Sequence, residues 1–280
     1  VLKRSIFGFL YAFAFTFMIV QSFPWVLATV FILHLVAQYE FCSLLGPTRK
    51  VTIALHCLLS SILMLFIALS MHGDLEARSI PAVFLAIVSV YAIYLVWQSE
   101  RHKEQYDRWV MLRGLVLITL SFAMFAHIAA YEGVFPYLLL LIASSWVADT
   151  AAILAGKLLG KTPLAPAISP KKTVEGAVGG VLAAGTAWVM AWLIWQPADG
   201  GMVEFMAVNG LLPYAIPLMF LTGALLAIVG VFGDLTFSLF KRKANLKDYS
   251  SLMPGHGGWL DRYDSMVFVT PFIWLLTYGM

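Results

Sequence analysis

Long apolar runs recur along this chain, separated by short polar stretches. Read with a window matched to a hydrocarbon core about 30 Å thick, they predict nine helical spans. These lie at roughly 5–22, 24–38, 51–71, 80–97, 113–130, 135–156, 174–195, 210–231 and 265–280. The expected fold is therefore all-α: a polytopic transmembrane helical bundle. Two polar stretches stand out against it, 157–173 and 232–264. The second gathers Asp234, Lys241, Arg242, Lys243, Lys247, Asp248, Asp261, Arg262 and Asp264 between two apolar runs. The pattern divides the chain into N-terminal helices, 1–134, expected to serve as a lipid-facing scaffold or dimer part, and a chemistry-bearing region, 135–280, with both polar loops. No internal repeat relates the halves, unlike the paired halves of many transporters.

Composition agrees with the bilayer reading. Of 280 residues, 61% are hydrophobic and only 12% charged, too few charges for a soluble domain of this size. The net charge of +3 is modest, and no basic helix is interleaved with aromatics, so nucleic acid is excluded as a partner. Cys42 and Cys57 have neither metal-ligand spacing nor a disulfide framework and are expected to pack inertly. The first apolar run follows Lys3 and Arg4. No small-residue cleavage site follows it, so it is expected to be a retained span. With the N-terminus in the cytoplasm, every Lys and Arg except Arg78 falls on the inner side or at an inner span end. Asp74, Glu76, Glu132, Asp199 and Glu204 fall outside. This positive-inside bias places both polar loops in the cytosol, where nucleotides are; a bacterial inner membrane is the expected location.

Three groups of residues carry candidate chemistry. Asp149 lies within an apolar span, where a carboxylate usually has a partner or a function. The run Ser169-Pro170-Lys171-Lys172-Thr173-Val174-Glu175-Gly176 places two cations before a helix start, where the helix dipole and free N–H groups also favour anions. In the long loop, Asp234, Ser238, Lys241 and Arg242 share one face if the preceding helix continues. Carboxylate oxygens there suit Mg²⁺, which often shares its shell with substrate phosphates. The glycines beside His256 permit positive φ and close backbone approach. Residues 156–162, GKLLGKT, imitate a P-loop but have three residues between the glycines where four are needed, and follow no strand. His34, His56 and His127 occur singly in or near spans and are expected to be packing residues.

The run Ser238, Lys241, Arg242, Lys247, Asp248, followed by Pro254, Gly255, His256, Gly257, Gly258, Asp261, Arg262 and Asp264, resembles the signature of phosphatidate cytidylyltransferases. Asp149 and the Ser169–Gly176 run are similar to further blocks of that family. Met253, Trp259 and Tyr263 stand where the family more often has aliphatic residues. The resemblance covers roughly residues 140–270. It implies transfer of CMP from CTP to phosphatidic acid by a divalent-metal-dependent membrane enzyme that is often a homodimer. Asp234 and Asp261 match the positions of the family's metal centre, with Mg²⁺ and a second cation such as K⁺.

On that basis Lys171, Lys172, Lys241 and Arg242 are expected to clamp phosphates, and Lys247 and Asp248 to organise the nucleotide loop. Gly257 and Gly258 are expected to let the backbone approach substrate, and His256 to orient a phosphate. Asp149, Ser169, Thr173, Ser238, Arg262 and Asp264 complete the expected substrate-binding set. Other readings remain: cytidylyl transfer to a prenyl or other lipid phosphate, a CTP-dependent lipid kinase, or a transporter using Asp149 and the polar loop as an ion path. A membrane scaffold would have no reason to cluster these carboxylates with the glycines.

Overall fold

The computed structural model describes residues 23–45, 50–72, 111–130, 135–195, 206–252 and 257–278. The predicted spans 5–22 and 80–97, and His256, lie outside them. The chain is an all-α polytopic membrane protein. Helix α1 is Phe23–Cys42, closed by a 3₁₀ turn, Ser43–Leu45, and α2 is Lys50–His72. Helix α3, Leu120–Ala130, continues a π segment, Leu115–Thr119. Helix α4, Phe135–Ile142, leads through a π segment, Ala143–Val147, into α5, Ala148–Leu159. Strands β1, Pro163–Ala165, and β2, Ser169–Thr173, precede α6, Val174–Trp195. A 3₁₀ turn, Leu212–Tyr214, opens α7, Ala215–Lys243, and α8 is Leu260–Tyr278. Among the described residues, 5 helical stretches are long and apolar enough to cross a bilayer.

Several boundaries differ from the hydropathy reading, and α8 begins at Leu260, before the predicted 265. Helix α1 runs past the predicted end at 38 and includes Glu40, whose carboxylate accepts two backbone N–H groups and a hydroxyl. Helix α7 continues through the charged stretch as far as Lys243. Hydropathy marks where apolar side chains stop, whereas Lys and Arg are good helix formers. Beyond α7, Asn245 takes a left-handed conformation, φ 58°, a common device at helix C-termini. The polar loop 157–173 is partly an antiparallel hairpin pairing Pro163 with Thr173 and Ala165 with Ser169. Its prolines favour extended or turn geometry over helix.

The chain groups into two compact units, Val1–Ala130 with Ala244–Arg262 and Tyr131–Lys243 with Tyr263–Met280. In the first, Val26, Val30, Phe41, Met64, Ile67 and Ile118 are buried core residues. A polar ladder crosses this core. His34 contacts the Ser61 hydroxyl at 2.8 Å and the Thr119 hydroxyl at 3.1 Å. The Gln38 side-chain amide donates to the Gly114 carbonyl at 2.9 Å, and its oxygen lies 3.3 Å from His56 Nε2. Buried polar groups in hydrocarbon need such internal partners, so His34 and His56 are satisfied packing residues. Cys42 and Cys57 are free thiols buried with Ile53.

In the second unit α5, α6 and α7 pack through small residues. A Cβ on Gly179 would lie 2.4 Å from the Ala155 Cβ, and one on Gly180 would lie 2.6 Å from the Ala148 carbonyl. Ala148, Ala184 and Ala227 form the centre of this contact. Such close backbone approach drives helix association where the hydrophobic effect is absent. Trp188 is fully buried and donates its indole N–H to the Ser144 hydroxyl at 2.8 Å. Ile153, Leu154, Val178, Leu182, Leu221 and Leu225 are exposed, as side chains solvated by lipid tails must be.

Candidate functional site

Tight packing of α5, α6 and α7 brings the polar ends of these helices together. Helix α6 begins at Val174 because Thr173 caps it: the Thr173 hydroxyl accepts the Gly176 N–H at 3.1 Å. Glu175 in the same first turn accepts the backbone N–H groups of Lys161, at 3.0 Å, and Thr162, at 3.1 Å. These contacts tie the hairpin to the helix end. Arg242 Nε donates to the Ile168 carbonyl in the hairpin turn at 3.2 Å.

The hairpin carries Lys172 to Asp234. Its ammonium pairs with Asp234 Oδ2, while Ser238, one turn further along α7, donates to Oδ1 at 3.2 Å. Lys241 and Asp264 are buried close by, and Asp234, Lys241 and Asp149 all act electrostatically on the Asp264 carboxyl. Asp264 Oδ1 accepts the Ser265 N–H at 2.8 Å, and the Ser265 hydroxyl donates to Asp149 Oδ2 at 3.3 Å. The second unit thus unites Asp149, Lys172, Asp234, Ser238, Lys241 and Asp264, from four separate stretches of sequence. Cations among carboxylates at the polar ends of apolar helices can hold a polyanion, because each Lys can turn from its carboxylate toward a phosphate.

A different arrangement surrounds Asp261 in the first unit. Its Oδ2 accepts the backbone N–H groups of Gly258, at 2.8 Å, and Tyr249, at 3.0 Å. Gly257 adopts φ +83°, and a Cβ there would lie 2.9 Å from the same oxygen. Tyr249 is held by α1 and the turn after it, where the Ser43 hydroxyl donates to its carbonyl at 3.1 Å and Phe41 packs on its ring. Lys247, Asp248 and Arg262 are exposed in this unit, as Lys171 is in the other, whereas Ser169 is half-buried in β2.

Sequence reasoning missed Glu40, which is 2% exposed. Its Oε1 accepts the Trp259 N–H at 2.9 Å and the Ser250 hydroxyl at 2.5 Å, and its Oε2 accepts the Leu260 N–H at 2.7 Å. A signal exists in the sequence: an acidic residue at the end of an apolar run, the rule that singles out Asp149. A hydropathy boundary at 38 obscures it by leaving Glu40 in a loop.

The chain matches the cytidylyltransferase family over residues 2–279. It is 30% identical to a phosphatidate cytidylyltransferase of Bacillus subtilis, over 98% of this chain and 96% of the relative. It is 35% identical to a protein of the same name from Aquifex aeolicus, over 70% of this chain and 66% of that protein. A phosphatidate cytidylyltransferase of Staphylococcus saprophyticus is 33% identical over 73% of this chain and 70% of its own length. The chain thus spans about two thirds of the Aquifex relative and nearly all of the Bacillus one. With a match running through both units and both polar stretches, this chain belongs to the cytidylyltransferase family.

Proposed function

We propose that this protein transfers CMP from CTP to phosphatidic acid, forming CDP-diacylglycerol. An oxygen of the lipid phosphate attacks the α-phosphorus of CTP, the α–β phosphoanhydride breaks, and pyrophosphate leaves with the bond electrons. The observation that carries this reading is the cluster of Lys172, Asp234, Ser238, Lys241 and Asp264 at the polar ends of apolar helices. A lipid phosphate ionised near neutral pH needs little help from a base. The difficulty is to bring two polyanions together, which fixed charge and positioning accomplish. Lys172 and Lys241, with exposed Lys171 and Arg242, supply the positive side chains for the phosphates. Lys247 and Asp248 border the signature loop and Arg262 follows it, while Ser169 and Thr173 flank Lys171 and Lys172 in β2.

Asp234, in the second unit, and Asp261, in the first, are each a proposed ligand of Mg²⁺. Their hard oxygens suit the ion. Among the described residues no three His, Cys, Asp or Glu side chains gather as a protein-only metal cage. Mg²⁺ needs none, since it usually takes one or two carboxylates and completes its shell with water and substrate phosphates. When bound, it supplies neutralisation of phosphate charge. The inner-side placement of Lys and Arg supports a site facing the cytosol from a bacterial inner membrane. A homodimer belongs to the same reading.

The test is pyrophosphate release and CDP-diacylglycerol formation by the purified protein in detergent micelles, from CTP and phosphatidic acid, with and without Mg²⁺. Both products are expected, and only with the metal. Release with a prenyl phosphate but not with phosphatidic acid would move the acceptor. Counterflow across sealed vesicles without any pyrophosphate would replace the reading with transport.

A further inference from the structure

The glycine pair of the signature loop suggests, from sequence, a backbone laid bare for a ligand. In the structure each glycine instead faces a carboxylate of the protein itself. A Cβ on Gly257 would come 2.9 Å from Asp261 Oδ2, and one on Gly258 would come 2.8 Å from both carboxylate oxygens of Glu40. Both contacts are closer than side chains tolerate. The N–H groups of three consecutive residues then divide between the same two carboxylates. Gly258 donates to Asp261, while Trp259 and Leu260 donate to Glu40.

These donors stand where α8 begins. The first N–H groups of a helix have no partner within it, and an anion placed there satisfies them and the helix dipole together. Here that anion arrives from α1, far earlier in the sequence. Glu40 also accepts the Ser250 hydroxyl. One buried carboxylate therefore fastens both sides of the signature loop, Ser250 before it and Trp259-Leu260 after it, next to Asp261.

We infer that Glu40 is a positioning residue: its buried carboxylate caps the start of α8 through the space left by Gly258, and so fixes the aim of Asp261. The inference rests on the role proposed above for Asp261. Charge matters here as well as shape. A glutamine of the same size would turn an NH₂ group, instead of an acceptor oxygen, toward one side of this donor set. A buried donor facing a donor leaves both unsatisfied.

The experiment uses the full chain in micelles and four variants: Glu40→Gln, Glu40→Asp, Gly258→Ala and the double variant Glu40→Asp/Gly258→Ala. Glu40→Gln is expected to lower kcat by about 10²-fold, the scale of a 1 Å misplacement, with the KM for CTP changed less than about threefold. The Mg²⁺ concentration for half-maximal activity should rise. Hydrogen exchange without nucleotide or metal should quicken at residues 257–262 and stay unchanged in the core of α3. Gly258→Ala should match Glu40→Gln, because its new methyl group pushes against the same carboxylate.

The double variant is the decisive arm. Shortening Glu40 by one methylene withdraws the carboxylate from the added methyl, so Glu40→Asp/Gly258→Ala should recover at least about tenfold of the activity that Gly258→Ala loses; non-additivity of this kind marks direct contact. Independent, multiplying losses would overturn the inference, as would a Glu40→Gln protein with normal kcat. If Glu40→Gln cannot be purified, the two Gly258 variants decide between contact and independence by themselves. Absence of CMP transfer in the unaltered protein would sink the functional reading alone, since the hydrogen-exchange arm tests the Glu40 contact without turnover.

Discussion

Asp234 and Asp261 look alike in the sequence, each beside glycine-containing polar residues next to an apolar helix, yet their surroundings differ in kind. Asp234 is held by side chains, the Lys172 ammonium and the Ser238 hydroxyl, with buried Lys241 and Asp264 nearby. Asp261 accepts two backbone N–H groups in a loop that Glu40 fastens. Backbone donors cannot rotate away, so Asp261 is set in place before any ligand arrives. Ammonium groups on flexible stems can be shared with an incoming anion. One centre is therefore preorganised, and the other is built to exchange partners.

The sharpest way to break this contrast is to neutralise each carboxylate in turn. Asp261→Asn keeps an acceptor oxygen for Gly258 and Tyr249 but loses the charge. Turnover should fall by about 10²-fold or more, the scale of losing a preorganised electrostatic group, while the protein still inserts and purifies. Asp234→Asn should lose as much activity. It should also leave Lys172 without its carboxylate partner, so that CTP binding, measured apart from turnover, tightens or holds. Near-normal turnover in Asp261→Asn would remove that residue from any metal role. Equal weakening of CTP binding by both substitutions would erase the distinction between the centres.

Lys172→Ala comes next in size. It removes a phosphate-binding cation and exposes Asp234 as an uncompensated negative charge facing an anionic substrate. Both effects act in one direction, and kcat/KM should fall by roughly 10–100-fold, as for loss of a charge-assisted contact. Lys172→Arg keeps the charge but not the point geometry, and should recover part of the loss. Full activity in Lys172→Ala would make the Lys172–Asp234 pair a structural tie and nothing more.

How far the sequence could reach is clear from these two centres. The apolar runs and the Ser169–Gly176 run were legible because lipid and helix starts impose local rules: bilayer length, a capping Thr, acids in a first turn. The predicted 174–195 coincides with α6 for that reason. The union of Lys172 with Asp234 was legible only as a shared chemistry, since no local rule tells which turn of α7 meets the hairpin. The continuation of α7 to Lys243 was hidden because hydropathy falls where helix propensity does not. Glu40 was the deepest omission. Its donors lie at Ser250, Trp259 and Leu260, and nothing near residue 40 announces them. The spacing of the two glycines was visible, but what occupies the room they leave was not.

A smaller test concerns Lys171, exposed beside half-buried Lys172. If the exchanging centre draws anions from a distance, Lys171→Ala should raise the KM for CTP a few-fold and leave kcat unchanged, and the difference should shrink as salt is added, because an exposed charge is screened within about 10 Å at 0.1 M salt. An unchanged KM at low salt would return Lys171 to setting topology alone.

The smallest expected effect falls on Ser238→Ala. The hydroxyl donates to Asp234 at 3.2 Å, a long contact, and Ser238 is largely buried. Losing one such hydrogen bond costs about 1 kcal/mol, so thermal stability in detergent should drop slightly. Because Lys172 remains paired with the other oxygen of Asp234, turnover should stay within about threefold, a change of less than about 1 kcal/mol in the barrier. A loss as large as that of Asp234→Asn would mean that the hydroxyl itself aims the carboxylate. The two centres would then both be preorganised, one through its backbone and the other through α7.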